Sequence, residues 1–193
     1  SIEEEFFRRR QSELKDFEKT ITVGFPVYDE KEVLAALDCL LNLRLSQGPI
    51  VKEFEREASE YMNVPHAVAV NSGTSANMLA LASLINLGMA KPGDEVIVPA
   101  ATFSSVVSPI YQLGLVPVYV DVGESDWFMS IDEVSKAISP KTKVIMPVYN
   151  LGFPGEIEKI VDIAKSKNIK ILEDCCEAHG GERNGIKLGA YGD

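Results

Sequence analysis

Three stretches of the chain carry residue types that could do chemistry together. The first is Asn71-Ser72-Gly73-Thr74-Ser75-Ala76-Asn77, a small-residue turn between an apolar run at residues 66–70 and a helical pattern from Met78 to Leu87. Such a turn gathers free backbone N–H groups and the positive end of a helix dipole at one point, which suits a phosphate. Gly73 would let the backbone approach a ligand closely, and Thr74 and Ser75 could add hydroxyl donors. The same residue types are favoured as ordinary helix N-caps, so both readings stand at this level. The second is Asp174, directly after the expected strand Ile169-Lys170-Ile171-Leu172-Glu173. A carboxylate at the end of a buried strand needs a partner. That partner is either internal, an arginine or a helix N-terminus, or it is a protonated ring nitrogen of a bound ligand. The third is Phe103, which could stack on a flat ring or simply fill the core. His179 could serve as a general base or as a satisfied structural histidine. Cys175 and Cys176 read as small buried residues, with a thiol nucleophile beside His179 as the alternative.

Several other chemistries are excluded. The chain has two histidines, His66 and His179, and no HExxH or cysteine-rich ligand set, so no metal site is expected. It has no Walker A lysine motif, no GxGxxG and no GxSxG elbow. A net charge of −10 argues against nucleic-acid or anionic-membrane partners, while leaving room for an anionic ligand in a local pocket. No apolar run approaches membrane-spanning length and no signal peptide opens the chain. Three cysteines without CxxC spacing point to a reducing, cytoplasmic setting.

The elements that would position these residues follow from periodicity. Of the 193 residues, 46% are hydrophobic and 25% charged, enough to bury a core. Phe6, Phe7, Leu14 and Phe17 recur at helical spacing within residues 2–18, and Arg8-Arg9-Arg10 reads as a solvated face. Asp29 is a plausible N-cap for a helix with Val33, Leu34, Leu37, Leu40 and Leu41 on one face. Ser46-Gln47-Gly48-Pro49 breaks the chain before a helix from Val51 to Met62. Strands at 66–70, 95–98, 116–120, 143–148 and 169–173 then alternate with helices at 75–87, 104–113, 131–138 and 155–167. Ser130 is placed to cap the 131–138 helix with Glu133. Apolar strands alternating with helices predict an α/β domain, a mostly parallel sheet between two helical layers. Ligands in such sheets sit at the carboxyl ends of the strands. Residues 71–75, 99–103, 149–150 and 174–179 all follow strands, so they are expected to converge on one rim.

The order of motifs resembles the DegT/DnrJ/StrS family of sugar-modifying enzymes that use pyridoxal 5'-phosphate. The matching pieces are Gly48-Pro49 with Glu53-Phe54-Glu55, Asn71 to Ala76, and Pro92 to Pro99 with Thr102-Phe103. They continue with Val116 to Asp121, Lys141-Thr142-Lys143, Pro147-Val148, Glu173-Asp174, Glu177-Ala178-His179-Gly180 and Gly189 to Asp193. No single piece is decisive, but the ordered set is specific.

The resemblance implies the three-layer α/β/α large domain of fold type I, the aspartate-aminotransferase fold, over residues 25–193, with residues 1–24 as a helical extension. It implies that Gly73, Thr74 and Ser75 hold the cofactor phosphate, that Phe103 stacks on the pyridine ring, and that Asp174 pairs with its nitrogen. Glu177 stands where the family often has glutamine, near the cofactor's phenolic oxygen, and His179 supports from behind. A carboxylate at 177 would repel a phenolate unless protonated or hydrogen-bonded. The Cys-Glu-Ala and Ser-Ala-Asn forms of two motifs resemble the branch of sugar 3-dehydratases. In the family the lysine that bonds the cofactor lies beyond the Gly192-Asp193 position. The chain is therefore expected to be the N-terminal part of a longer enzyme, without the smaller C-terminal domain and inactive alone. Lys187, in Asn184-Gly185-Ile186-Lys187, reads as part of a surface hairpin and a poor substitute. The activity implied is amino transfer from an amino-acid donor to a nucleotide-bound keto-sugar, in cell-surface polysaccharide or secondary-metabolite synthesis, by a homodimer. A 3-dehydratase using pyridoxal or pyridoxamine phosphate is the alternative. An inert fragment or interaction module is the third reading.

Overall fold

In the computed structural model, residues 4, 5, 7–9 and 28–193 are described. Most of the helix expected over residues 2–18 lies outside them. Residues 4, 5 and 7–9 are helical, and Glu5 pairs with Arg8 and Arg9 at 2.7 Å each, so part of the arginine run is a solvated face. The chain divides into two units, Ser1–Lys52 and Glu53–Asp193.

In the first unit, helix α1 (Glu30–Leu41) opens on the cap foreseen at Asp29. The Asp29 carboxylate accepts from Lys31 N–H, and Glu32 reaches back to Asp29 N–H, a complete capping box. The predicted apolar face is not fully covered: Leu34, Leu40 and Leu41 are exposed, as are Leu43 and Leu45 beyond the helix.

The second unit takes the residues from Glu53 onward of helix α2 (Pro49–Met62), then helix α3 (Gly73–Asn86), strand β1 (Glu95–Pro99), helix α4 (Ser104–Gln112), strand β2 (Val116–Val120), helix α5 (Ile131–Ala137), strand β3 (Thr142–Ile145), helix α6 (Ile157–Lys167) and strand β4 (Lys170–Ile171). The four strands form one parallel sheet in the order β2-β1-β3-β4. Side chains alternate across it. Val96, Val98, Val144 and Met146 join Leu81 of α3 and Ile110 of α4 in one apolar cluster. Ile97 and Ile145 join Val134 of α5 and Ile160 of α6 in the other. A sheet buried on both faces between helices is the expected three-layer α/β/α arrangement.

Prolines set the sheet's limits. Pro117 sits on β2, an edge strand of this sheet, where a missing donor is tolerated. β3 and β4 end earlier than the expected 143–148 and 169–173, yet their backbones stay paired. Leu172 N–H donates to Ile145 O, Asp174 N–H to Pro147 O, and Tyr149 N–H to Asp174 O. Pro147, with no N–H to offer, interrupts the regular ladder.

The one expected strand that does not form is 66–70. These residues make no strand, Val68 is 67% exposed, and the backbone bond recorded for the segment is Ala69 N–H to the Glu55 carboxylate, 2.8 Å. A strand exists only through a neighbour's backbone, and among the described residues none pairs with this segment. β5 (Glu182–Arg183) and β6 (Ile186–Lys187) form the predicted hairpin, turning on Asn184 and Gly185, both at positive φ as a two-residue type I′ turn requires.

Candidate active site

Asp174 lies at the carboxyl end of β4, 8% exposed. Its Oδ2 accepts from the side-chain amide of Asn77 at 2.9 Å, and its Oδ1 from Cys176 N–H at 3.1 Å. Both donors are neutral, and no ion pair to Asp174 is found among the described residues. Among the described residues, no arginine of the kind considered from sequence meets it. A buried carboxylate held only by neutral donors keeps capacity for a charged one.

Asn77 itself is 7% exposed and ties three segments together. It sits on α3 one turn beyond Gly73, Thr74 and Ser75, it holds Asp174, and its amide also lies 3.4 Å from Ser105 O, two residues after Phe103. Sequence reading quoted Asn77 without giving it a role. The signal was present: Asn77, Leu81 and Ile85 fall on one face of α3, and an amide within that apolar stripe must have a buried partner.

The start of α3 resolves the cap question in part. Ser72 is the N-cap, and its hydroxyl accepts from Ser75 N–H at 3.2 Å. Gly73 and Thr74 occupy the first two helical positions, where backbone N–H groups have no intrahelical acceptor. Gly73 and Thr74 are exposed, Ser75 half-buried, and a Cβ added at Gly73 would meet nothing within 4 Å. The Ser75 hydroxyl accepts from Ser72 Oγ at 3.1 Å and keeps its own hydrogen, so the donors left at this turn are the Gly73 and Thr74 amides and the Thr74 and Ser75 hydroxyls.

The other rim residues are fastened by a second asparagine. Asn150 follows Tyr149 in a short 3-10 turn (Asn150–Gly152) and donates from its side chain to Ala101 O at 2.8 Å and Trp127 O at 3.3 Å. This fixes the 100–103 loop that carries Phe103, whose ring is 65% exposed. Thr102 Oγ1 in the same loop is buried without a hydrogen-bond partner. Glu177 is exposed, and its Oε2 accepts from Leu151 N–H at 2.6 Å, so this carboxylate has the hydrogen bond that a phenolate neighbour would demand.

His179 is exposed and lines a groove of about 610 Å3 with Phe54, Tyr61 and Met62 of α2 and with Glu173, Cys175 and Gly189. Burial pushes the Cys175 thiol far above its ordinary range, reinforced by Glu173 and Asp174. Partial burial, then a hydrogen bond to Asp174, pushes Cys176 up to about 11. Lys187 lies 4.8 Å over the Tyr61 ring and 3.5 Å from Glu182 on its hairpin. Glu173, beside Asp174, faces other partners: its carboxylate accepts from Gly189, Tyr191 and Gly192 N–H at 2.6–2.9 Å and from the Tyr149 hydroxyl.

The described residues form no cluster of metal-ligating side chains, and no helix among them is long and apolar enough to cross a membrane.

Comparison with known proteins agrees with this architecture. The profile of the DegT/DnrJ/EryC1/StrS aminotransferase family matches residues 26–193. The chain is 37% identical over 180 residues to a GDP-4-keto-6-deoxy-D-mannose 3-dehydratase of Yersinia pseudotuberculosis, covering 90% of this chain and 46% of that protein. It is 38% identical over 176 residues to a GDP-perosamine synthase of Escherichia coli O157:H7, covering 91% and 47%. The solved E. coli GDP-4-keto-6-deoxy-D-mannose-3-dehydratase with bound hydrated PLP superposes with a TM-score of 0.85 at 31% identity, over 90% of this chain and 45% of that one. The chain thus spans about half the length of the curated relatives it matches. With that match over residues 26–193, the fold type I domain described above belongs to the DegT/DnrJ/EryC1/StrS aminotransferase family.

Proposed function

We propose that this chain provides the cofactor-binding part of a pyridoxal-phosphate enzyme acting on nucleotide-linked keto-sugars, with amino transfer from an amino acid as the reaction. The observation that carries the reading is Asp174, a buried carboxylate met, among the described residues, only by neutral donors. It fits a protonated pyridine nitrogen. When bound, the cofactor supplies an electron sink for the bond broken at the substrate carbon. The chain's own residues do the holding. The Gly73 and Thr74 amides and the Thr74 hydroxyl, with Ser75 beside them, take the phosphate at the positive end of α3. Phe103 offers its exposed face to the ring. Asp174 keeps the ring nitrogen protonated. Glu177, bonded by Leu151 N–H, stands near the ring's oxygen without an unsatisfied charge. Lys187, engaged on its hairpin, does not supply the amine that bonds the cofactor, so residues 1–193 alone turn over no substrate. Residues 1–24 act as an extension to the domain.

Replacing Asp174 by Ala in the protein as its gene encodes it tests the reading. Weaker binding of pyridoxal phosphate in a spectroscopic titration and loss of activity, with the melting temperature within a few degrees of wild type, are expected. Unchanged cofactor affinity sinks it.

A 3-dehydratase is the second reading, favoured by two observations: the Ser-Ala-Asn motif places a polar Asn77 on Asp174, and 3-dehydratases stand among the relatives. Supplying a nucleotide keto-sugar with an amino-acid donor separates the two, since an amino sugar is the product of transfer and a 3-deoxy sugar that of dehydration.

We further propose a homodimer. The exposed Leu40, Leu41, Leu43 and Leu45 support it, as apolar side chains grouped on a surface favour association. Light scattering is expected to give twice the chain mass, and a monomer at high concentration overturns it. The three unpaired cysteines support a cytoplasmic setting.

A further inference from the structure

Asn77 donates its side-chain amide to the Asp174 carboxylate, and both residues are buried. The two residues are 97 positions apart in sequence, so the bond joins the helix that begins at the phosphate turn to the strand end that carries the carboxylate. Asp174 is a short side chain whose two torsions would otherwise let its oxygens turn. Cys176 N–H takes Oδ1 and the Asn77 amide takes Oδ2, so both oxygens are oriented from within the protein. Each oxygen keeps a second lone pair. A primary amide has a second N–H, which Asn77 directs toward Ser105 O. The amide plane is thereby held by two acceptors on different elements. Leu or Met at this place on α3 would match the apolar stripe of Leu81 and Ile85 and would leave Asp174 Oδ2 without its donor.

We propose that Asn77 is a positioning residue that locks the Asp174 carboxylate in the orientation in which it meets a protonated ring nitrogen. This rests on the cofactor reading given above. Asn77 touches neither cofactor nor substrate in this role. It acts through Asp174, and its effect must disappear when Asp174 is removed. The same lock sets the environment of Cys176, whose backbone N–H donates to Asp174 Oδ1 and whose thiol is raised in part by that carboxylate, so the orientation can be followed without any cofactor present.

The test is a double-mutant cycle on the protein as its gene encodes it, using Asn77→Leu, Asp174→Ala and the pair, with two readings. The first is alkylation of Cys176 by iodoacetamide at pH 8 in cofactor-free protein. The second is the dissociation constant for pyridoxal phosphate. Asn77→Leu is expected to speed Cys176 alkylation severalfold, because a carboxylate free to turn releases the thiol. It is expected to weaken cofactor binding about tenfold, the loss of one hydrogen bond to a charged group. In the Asp174→Ala background it should change neither. Unchanged Cys176 alkylation in Asn77→Leu overturns the proposal whatever happens to binding. So does a tenfold loss of affinity that persists in the Asp174→Ala background, since Asn77 then acts on the ligand by another route. If Asp174→Ala leaves cofactor affinity intact, the cofactor reading has failed, and the role of Asn77 toward a ring falls with it; that outcome is told apart by the faster alkylation still seen in Asn77→Leu. Should Asn77→Leu not fold, Asn77→Ser, too short to reach Asp174 and tolerant of water, gives the same two readings.

Discussion

At the scale of single residues, the rim shows how a strand end tunes its neighbours. Cys175 and Cys176 follow Asp174 directly, and both thiols are held in the neutral form, Cys175 by burial first and Cys176 by partial burial and then by Asp174. A free thiol ionises near pH 8.5. With Cys176 raised to about 11, its thiolate fraction at pH 7.5 is lower by roughly a hundredfold or more. Alkylation of Cys176 is therefore expected to be slow at pH 7.5 and to rise steadily toward pH 11. A rate plateau near pH 9 contradicts the assignment. The linkage has a sign. Between the unfolded and folded values the native state keeps protons that the unfolded chain has lost, so stability falls as pH rises. Tyr149, raised by burial first and then by its bond to Glu173, adds to the effect above pH 10. Thermal midpoints should be flat up to about pH 8.5 and decline from there toward pH 11.

At the scale of elements, the loops after the strands are secured by a few contacts that tolerate little change. The turn before α6 passes through Gly155 at φ +50°, and a Cβ there would fall inside the ring of Phe128. Phe128 is 2% exposed and stacks on Tyr149 at 5.7 Å, so the ring has no room to retreat. Gly155→Ala combines left-handed strain with overpacking and should lose roughly 3 kcal/mol of stability in urea denaturation. A loss under 0.5 kcal/mol means the Phe128–Tyr149 stack yields easily. The same stack stands beneath Asn150, whose side chain fastens the 100–103 loop.

At the scale of the molecule, the second unit is a sheet with two unlike edges. Among the described residues β2 has a neighbour on one side only, and Val116 and Tyr119 are exposed. β4 is bordered by residues 189–193, through Asp193 N–H to Ile171 O, Ile171 N–H to the Asp193 carboxylate, and Lys170 to Asp193 at 2.6 Å. Residues 66–70 join neither. Hydrogen exchange follows from this: β1 and β3, paired on both sides, should exchange slowest, and the amides of 66–70 fastest except Ala69, which Glu55 accepts from. Strong protection across all of 66–70 in the protein as its gene encodes it means that another backbone pairs with them there.

The sequence by itself determined the period of each element and the chemistry at its ends. Apolar residues alternating with helical spacing were enough for the three-layer fold, and turn residues were enough for the Asp29 and Ser130 caps and the Asn184-Gly185 hairpin. The turn at 71–77 and the carboxylate at 174 were legible too, because a polar residue at the end of an apolar run must be satisfied by something. What stood beside that carboxylate was not legible. Asn77 and Asp174 are far apart in the chain, and no local pattern encodes which inward-facing amide meets which strand end. The place of His179, in the groove beside Tyr61, depended likewise on how the chain folds after Asp174. The apolar run at 66–70 marks the limit most clearly. Its residues satisfy every local criterion for a strand, yet a strand is a relation between two backbones, and only the tertiary structure decides whether the second one is there.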